Sequence, residues 1–313
     1  MEVLIDMNVG VIGAGSMGKN HVRVYSELKD VEEVYVYDPD AAKIRAVEKY
    51  GITACDSMDQ LLKQVDLVSI CVPTKYHYSV AKSVIEKGIS CLIEKPLTLT
   101  VEEGEKLLQL LGNGNNGVVV GVGHIERFNP MIGVIKKMIK EPLYVDIRRH
   151  NPASDRITDA SIVEDLMIHD IDIVFNVLFD GEYEIASAGN GDLCTTLIRF
   201  GSSVVSISAS RRAAKKIRSI YIEEEDFTIE GDFMNQEVYV YRKPSEYGIE
   251  NGGRYRQENI IEKVMVNKIE PLKEELKAFI TCVKRGEAFT ITPNQALKDL
   301  KICAKINKLN AVL

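Results

Sequence analysis

The chain has 313 residues, of which 45% are hydrophobic and 27% charged, with a formal net charge of −7. This is the composition of a globular chain long enough for two domains; it excludes a mainly disordered protein and argues against a nucleic-acid surface, which needs clustered Lys and Arg. No segment approaches the roughly 20 apolar residues that span a bilayer, and Cys55, Cys71, Cys91, Cys194, Cys282 and Cys303 form no C-x-x-C pair, so reduced thiols, a cytoplasmic location and no membrane or nucleic-acid partner are expected.

The first element is the most informative. Val9, Val11 and Ile12 make a strand that runs into Gly13-Ala14-Gly15-Ser16-Met17-Gly18, a G-x-G-x-x-G turn opening a helix. In a dinucleotide site the first glycine permits the tight turn, the second lets backbone approach a pyrophosphate, and the third lets helix and strand pack closely. A second strand alternates Val34 and Val36 with Tyr35 and Tyr37 and ends in Asp38, twenty residues after Gly18. An acid there accepts bonds from the adenosine ribose hydroxyls and repels the extra phosphate of NADP, so NAD is the expected cofactor.

Strands and helices then alternate. A helix over 41–50 precedes a short strand at 52–54, and the capping box Ser57 to Gln60 starts a helix that ends before Asp66. The apolar run 67–72 reads as a buried strand stopped by Pro73. A helix over 76–87 ends at Gly88, a strand covers 89–93, and the capping box Thr100 to Glu103 opens a helix reaching a Gly/Asn turn at 112–117. A sixth strand fills 118–122. This alternation predicts a parallel sheet covered on both faces.

Beyond it the pattern changes. A helix over 129–140, a strand over 144–148 and a long helix over 162–179 lead to short alternating segments at 183–188, 193–200, 204–208, 217–222, 227–229, 237–241 and 260–266. Consecutive strands with short turns predict an antiparallel sheet. Two helices finish the chain, one with Leu272, Leu276, Ile280 and Val283 on a stripe and one opened by the capping box Thr292 to Gln295 with Pro293 in first position. The expected fold is α/β: a Rossmann dinucleotide-binding domain over 1–122, and an α+β domain over 123–313 with a large open, mainly antiparallel sheet and terminal helices free to pack back on the first domain.

Two constellations carry chemistry. Glu94-Lys95-Pro96 follows the fifth strand, at the carboxyl edge where open α/β sheets bind ligands, so the Lys95 ammonium can hold a substrate oxygen; a surface lysine in a Pro-terminated turn is equally open, as is a cis bond before Pro96. On the long helix Asp165, His169 and Asp172 fall at i, i+4 and i+7, with Asn176 continuing the stripe and Met167, Ile171, Val174 and Leu178 opposite. A carboxylate beside a histidine fixes its tautomer and favours proton removal from a hydroxyl, although periodicity alone leaves a structural histidine with a neighbouring acid equally open. Arg148, Arg149 and Arg156 concentrate positive charge just before that helix and suit a diphosphate, or else balance Asp155 and Asp159.

Together GAGSMG at 13–18, CVPTKYHYSVA at 71–81, EKP at 94–96, GHIERFNP at 123–130 and DLMIHDID at 165–172 resemble the Gfo/Idh/MocA oxidoreductase family over essentially the whole chain. The resemblance implies a catalytic group of Lys95, Asp165 and His169. It implies cofactor contacts from Gly13, Gly15, Ser16, Met17, Gly18, Asp38, Pro73, Thr74, His77, Glu94 and Lys95. It implies NAD(H) or NADP(H), no metal, and homodimers or homotetramers built on the second sheet. The family commonly has Asn where this chain has Thr74, and the family's usual D-x-G-x-H is here Asp165-Leu166-Met167-Ile168-His169. The segment 148–172 is similar to members that oxidise the 3-hydroxyl of UDP-N-acetylglucosamine, which with the arginine cluster makes Arg148, Arg149 and Arg156 expected substrate contacts beside Lys95, Asp165 and His169; Arg127 and Asn129 are further expected substrate contacts, wall residues of the site with His77 and Glu126. The expected activity is a sugar dehydrogenase, with a polyol such as inositol or a UDP-sugar acid as other substrates. An NAD-dependent glycosidase and a non-catalytic NAD(H)-binding regulator are rivals.

Overall fold

A computed structural model of the chain describes residues 6–112, 117–152, 161–243, 247–250, 254–257 and 260–311. The chain divides into two compact units, Met1–Phe128 with Glu270–Lys301, and Asn129–Ile269 with Ile302–Leu313.

In the first unit strand β1 (Met7–Ile12) leads into helix α1 (Ser16–Glu27), then β2 (Val31–Tyr37), α2 (Ala41–Arg45), β3 (Thr53–Ala54), α3 (Met58–Leu61), β4 (Leu67–Ile70), α4 (His77–Glu86), β5 (Ser90–Glu94), α5 (Val101–Gly112) and β6 (Val120–Gly123). The six strands are all parallel, in the order β3-β2-β1-β4-β5-β6. The chain direction reverses its stepping between β1 and β4, so their carboxyl ends frame the crevice where such sheets bind nucleotides. All residues of β4, β5 and β6 are buried, as continuous apolar runs in a doubly covered sheet require. Local signals account for the helix starts: Ser57 accepts the Gln60 N–H at 3.1 Å, and Thr100 and Glu103 exchange side-chain to backbone bonds. The helix expected over 41–50 stops at Arg45; a 3-10 turn Glu48–Tyr50 follows, tight enough to bury Val47 and closed by Gly51 at φ 72°. Residues 113–116 of the expected Gly/Asn turn lie outside the described residues.

The second unit opens with α6 (Pro130–Met138) and β7 (Tyr144–His150). A π-helical turn Val163–Met167, α7 (Ile168–Ile173) and a second π-helical turn Val174–Leu178 run on as one helix, so the expected long helix is α-helical only in its middle. Strands β8 (Glu184–Gly189), β9 (Leu193–Phe200), β10 (Ser203–Ser210), β11 (Ile217–Glu223), β12 (Phe227–Asp232), β13 (Glu237–Arg242), β14 (Tyr247–Glu250), β15 (Arg254–Gln257) and β16 (Ile260–Val264) follow. Seven of them form one sheet with β7 in the order β16-β13-β12-β11-β7-β10-β9-β8, antiparallel except where β7 and β10 pair, and β14 and β15 form an antiparallel pair that the sequence did not indicate. One face is packed: Val145, Ile147, Val205, Ile207, Ile220, Ile222, Val238 and Val240 are buried with Met167, Ile171 and Val174 of the long helix.

Helices α8 (Pro271–Arg285) and α9 (Pro293–Asn310) close the chain. Leu272, Leu276, Phe279 and Ile280 of α8, and Ala296 and Leu297 of α9, belong to the first core, while Ile302, Cys303 and Ile306 of α9 belong to the second. The first unit runs past the expected boundary at residue 122 to Phe128, whose ring stacks on Phe289 at 5.9 Å. All six cysteines are free thiols, and among the described residues no helix is long and apolar enough to cross a membrane.

Candidate active site

The glycine-rich turn is shaped by close backbone approach. Gly13 has φ 93°, and a Cβ there would lie 2.7 Å from the Cys71 carbonyl oxygen at the end of β4. A Cβ on Gly18 would lie 1.8 Å from the Gly13 oxygen, while around Gly15 there is nothing within 4 Å. The turn is thus filled on the strand side and open at its second glycine. Helix α1 has Gly15 as N-cap with no side-chain bond and no acid in its first turn, so the first N–H groups and the positive dipole end face outward with Ser16 and Met17. A dinucleotide pyrophosphate fits this cradle.

Asp38 fastens the turn from the side. Its Oδ2 accepts the Ala14 N–H at 2.8 Å and its Oδ1 the Asp40 N–H at 2.9 Å, with Lys43 Nζ 3.6 Å from Oδ2. A carboxylate has about four acceptor positions, so capacity remains for a ribose hydroxyl. At the end of β4, Pro73 is exposed and Thr74 begins a 3-10 turn, Thr74–Tyr76. Cys71, beside the turn, has its thiol pushed well up by burial and then by Glu94 and Glu275, which makes it a poor nucleophile.

At the end of β5 the Lys95–Pro96 peptide is cis and Lys95 is half-buried. Glu94 is buried; its Oε1 lies 2.8 Å from His21 Nε2 on α1, and its Oε2 accepts the Lys95 N–H at 3.3 Å. Burial alone would raise the Glu94 carboxyl, but the His21 bond and the Lys95 charge more than offset it and hold it below the ordinary range. His77, an expected cofactor contact, is 1% exposed, with Nδ1 2.8 Å from the Pro96 carbonyl and Nε2 3.0 Å from the Val72 carbonyl. Both ring nitrogens therefore face backbone, and burial lowers its pKa. Arg127 Nη1 donates to Gln295 Oε1 at 3.3 Å, and Glu126 is buried.

In the second unit the long helix starts on a capping serine: Ser161 Oγ accepts the Val163 N–H at 3.1 Å. Asp165 and His169 are half-buried, Asp172 is buried, and Asn176 donates to Asp172 Oδ1 at 3.1 Å. Asp165 also meets a residue the sequence reading missed, Arg211 at the end of β10, whose Nη2 lies 3.1 Å from Oδ2. No spacing rule links them, because the rest of the helix and the three strands β8 to β10 separate the two in the chain.

Three expected substrate contacts make bonds within the protein. Arg149 is 1% exposed and lies in β7 on the packed face, where its Nε and Nη2 donate to Asp170 at 2.7–3.1 Å. Arg148 is the next residue of the same strand, so the two-residue period turns it to the opposite face, where Nε donates to Asp146 Oδ2 at 2.6 Å. Adjacent strand residues cannot clamp one diphosphate. Asn129 is buried as the N-cap of α6, accepting the Met131 N–H and donating to the Phe233 carbonyl at 3.0 Å. Arg156, with Asp155 and Asp159, lies outside the described residues.

A family described as "Oxidoreductase family, NAD-binding Rossmann fold" matches residues 7–124. The chain is 30% identical to UDP-N-acetylglucosamine 3-dehydrogenase of Acidithiobacillus ferrooxidans over 248 residues, 77% of this chain and 78% of that one. It is 23% identical to an inositol 2-dehydrogenase of Rhizobium meliloti over 94% of this chain and 93% of the relative. The solved structure of UDP-N-acetylglucosamine 3-dehydrogenase GnnA from Acidithiobacillus ferrooxidans is similar with a TM-score of 0.86 at 26% identity, over 97% of both chains. By its NAD-binding first unit, its second sheet and these whole-chain likenesses, the chain belongs to the Gfo/Idh/MocA oxidoreductase family.

Proposed function

We propose that the protein is an NAD-dependent dehydrogenase that oxidises a secondary hydroxyl of a nucleotide-activated sugar, C3 of a UDP-N-acetylhexosamine. The observation that carries this reading is the 26% identity and TM-score of 0.86 with a UDP-N-acetylglucosamine 3-dehydrogenase over 97% of both chains. In this proposal His169 takes the proton from a substrate hydroxyl, and Lys95 hydrogen-bonds a substrate oxygen on which charge develops. Asp165 orients His169, with Arg211 holding Asp165 in turn. The dinucleotide, when bound, supplies the hydride acceptor. NAD is proposed over NADP because the Asp38 carboxylate stands beside the glycine-rich turn, where a 2′-phosphate would meet like charge.

With Arg148 and Arg149 otherwise engaged, the diphosphate is assigned to Arg156. Arg156→Ala is expected to raise KM for a nucleotide sugar and leave KM for a sugar lacking diphosphate alone; equal effects on both would remove this assignment. A homodimer or homotetramer in the cytoplasm is also proposed, supported by Leu193, Leu197, Val204 and Ile261, which are 39–55% exposed on strands of the second sheet. The whole-chain likeness to an inositol 2-dehydrogenase supports a second reading, a free polyol as substrate. Nicotinamide absorbance of the purified protein with UDP-N-acetylglucosamine, inositol and glucose, each with NAD and with NADP, separates the two. Turnover only with the nucleotide sugar and NAD is expected, and turnover with inositol alone would contradict it.

A further inference from the structure

Lys95 stands on a turn that has no regular hydrogen bonding of its own, between the end of β5 and the exposed Leu99 and Thr100. Two buried histidines grip that turn on either side. On one side His21 Nε2 is 2.8 Å from Glu94 Oε1, and the other oxygen of the same carboxylate accepts the Lys95 amide at 3.3 Å. The carboxylate lies close beside β6: a Cβ on Gly123 would lie only 3.1 Å from Oε1 and 3.4 Å from Oε2, space that glycine leaves to it. On the other side His77 bonds the Pro96 carbonyl at 2.8 Å and the Val72 carbonyl at 3.0 Å, tying the turn to the end of β4.

Both histidines are buried. His21 is 0% exposed, and its Nδ1 is buried without a hydrogen-bond partner. A buried imidazole with one nitrogen unmet has a cost that an apolar residue of similar size would avoid. Such a group persists where its one bond fixes something, and here that bond ends on the residue before Lys95.

We propose that His21 and His77 are positioning residues for Lys95: His21 through the Glu94 carboxylate, and His77 through the Pro96 carbonyl, set where the lysine's backbone stands. His21 lies on α1, the helix whose N-terminus forms the pyrophosphate cradle, so the same helix that seats the cofactor also sets the lysine. This rests on the catalytic role proposed above for Lys95, and adds to it residues that touch neither substrate nor cofactor.

The test has one arm that needs substrate and one that does not. With UDP-N-acetylglucosamine and NAD, His21→Leu is expected to lower kcat about 10- to 100-fold, the effect of a misplaced catalytic group, with KM for NAD within about twofold. In the same variant without substrate, deuterium exchange at the Lys95 amide is expected to accelerate about tenfold, because its acceptor is no longer held. His21→Gln, which keeps an N–H donor at that reach, restores both. Unchanged Lys95 exchange in His21→Leu overturns the proposal, and so does a kcat loss matched by lost NAD affinity that His21→Gln fails to restore. If His21→Leu does not fold, Glu94→Gln and His77→Leu carry the same expectation and the same refutation. If the wild-type protein does not turn over UDP-N-acetylglucosamine, the substrate reading fails while the exchange arm still decides this one.

Discussion

Gly15 and Gly18 sit in one turn yet answer different demands. A methyl group at Gly18 would collide with the Gly13 carbonyl at 1.8 Å, so Gly18→Ala is expected to destabilise the first unit by about 1–3 kcal/mol. Gly15 has open space, so Gly15→Ala should leave the melting temperature unchanged and weaken NADH binding, measured by calorimetric titration. At His77 the sign of the pH effect follows from burial, which lowers its pKa. The unfolded chain takes up that proton more readily, so the associated stability is present above about pH 6.5 and is lost as pH falls from there toward the folded value. His77→Gln should flatten that loss, read from urea midpoints at pH 7.5 and 5.5; an equal loss in both proteins would contradict it. The glycines and Asp38 were legible in sequence because their roles follow from backbone geometry at fixed spacing. His21 was not, because its partner Glu94 is 73 residues further along the chain and only the fold brings them together.

Among the elements, capping boxes at Thr100 and Thr292 were readable and are reciprocal: Thr292 accepts the Gln295 N–H at 3.3 Å, and Gln295 Oε1 accepts the Thr292 N–H at 3.2 Å, whereas at Ser57 the return bond to Gln60 Oε1 comes from the Asp56 N–H. The long helix was readable as a helix but not in its winding. Two π-helical turns widen it, and a 3.6-residue period misplaces side chains where the winding changes. Asp170, off the expected polar stripe, is buried as Asp172 on the stripe is, and it receives Arg149 from β7. Deleting one side of a buried ion pair typically costs about 3–5 kcal/mol. Arg149→Met is therefore expected to lower the denaturation midpoint sharply while KM for a nucleotide sugar in the folded protein stays unchanged. A raised KM with unaltered stability would return Arg149 to the substrate. Strand β7 was legible over 144–148 but runs on to His150, so that Arg149 falls inside it and takes the face opposite Arg148.

For the molecule as a whole, the alternation of strands and helices up to residue 122 and the run of short strands after residue 183 suffice to give the two sheet types, since each period reports how many faces an element buries. Strand order is a different matter: the order β3-β2-β1-β4-β5-β6 follows from the nucleotide-binding motif by likeness, whereas nothing in sequence indicates that β7 is central in the second sheet and pairs in parallel with β10. The return of 270–301 to the first unit is likewise set by tertiary packing of Phe279 and Phe289, whose rings meet at 5.3 Å. The substrate rests on likeness to relatives, and the chemistry on Lys95 and His169. The most direct measurement is NADH formation from UDP-N-acetylglucosamine and NAD by the wild-type protein, Lys95→Ala and His169→Ala, with NADH affinity measured alongside. The account expects turnover in the wild type and a loss of about 100- to 10,000-fold in each variant at unchanged NADH affinity; turnover at the wild-type rate in either variant would contradict it.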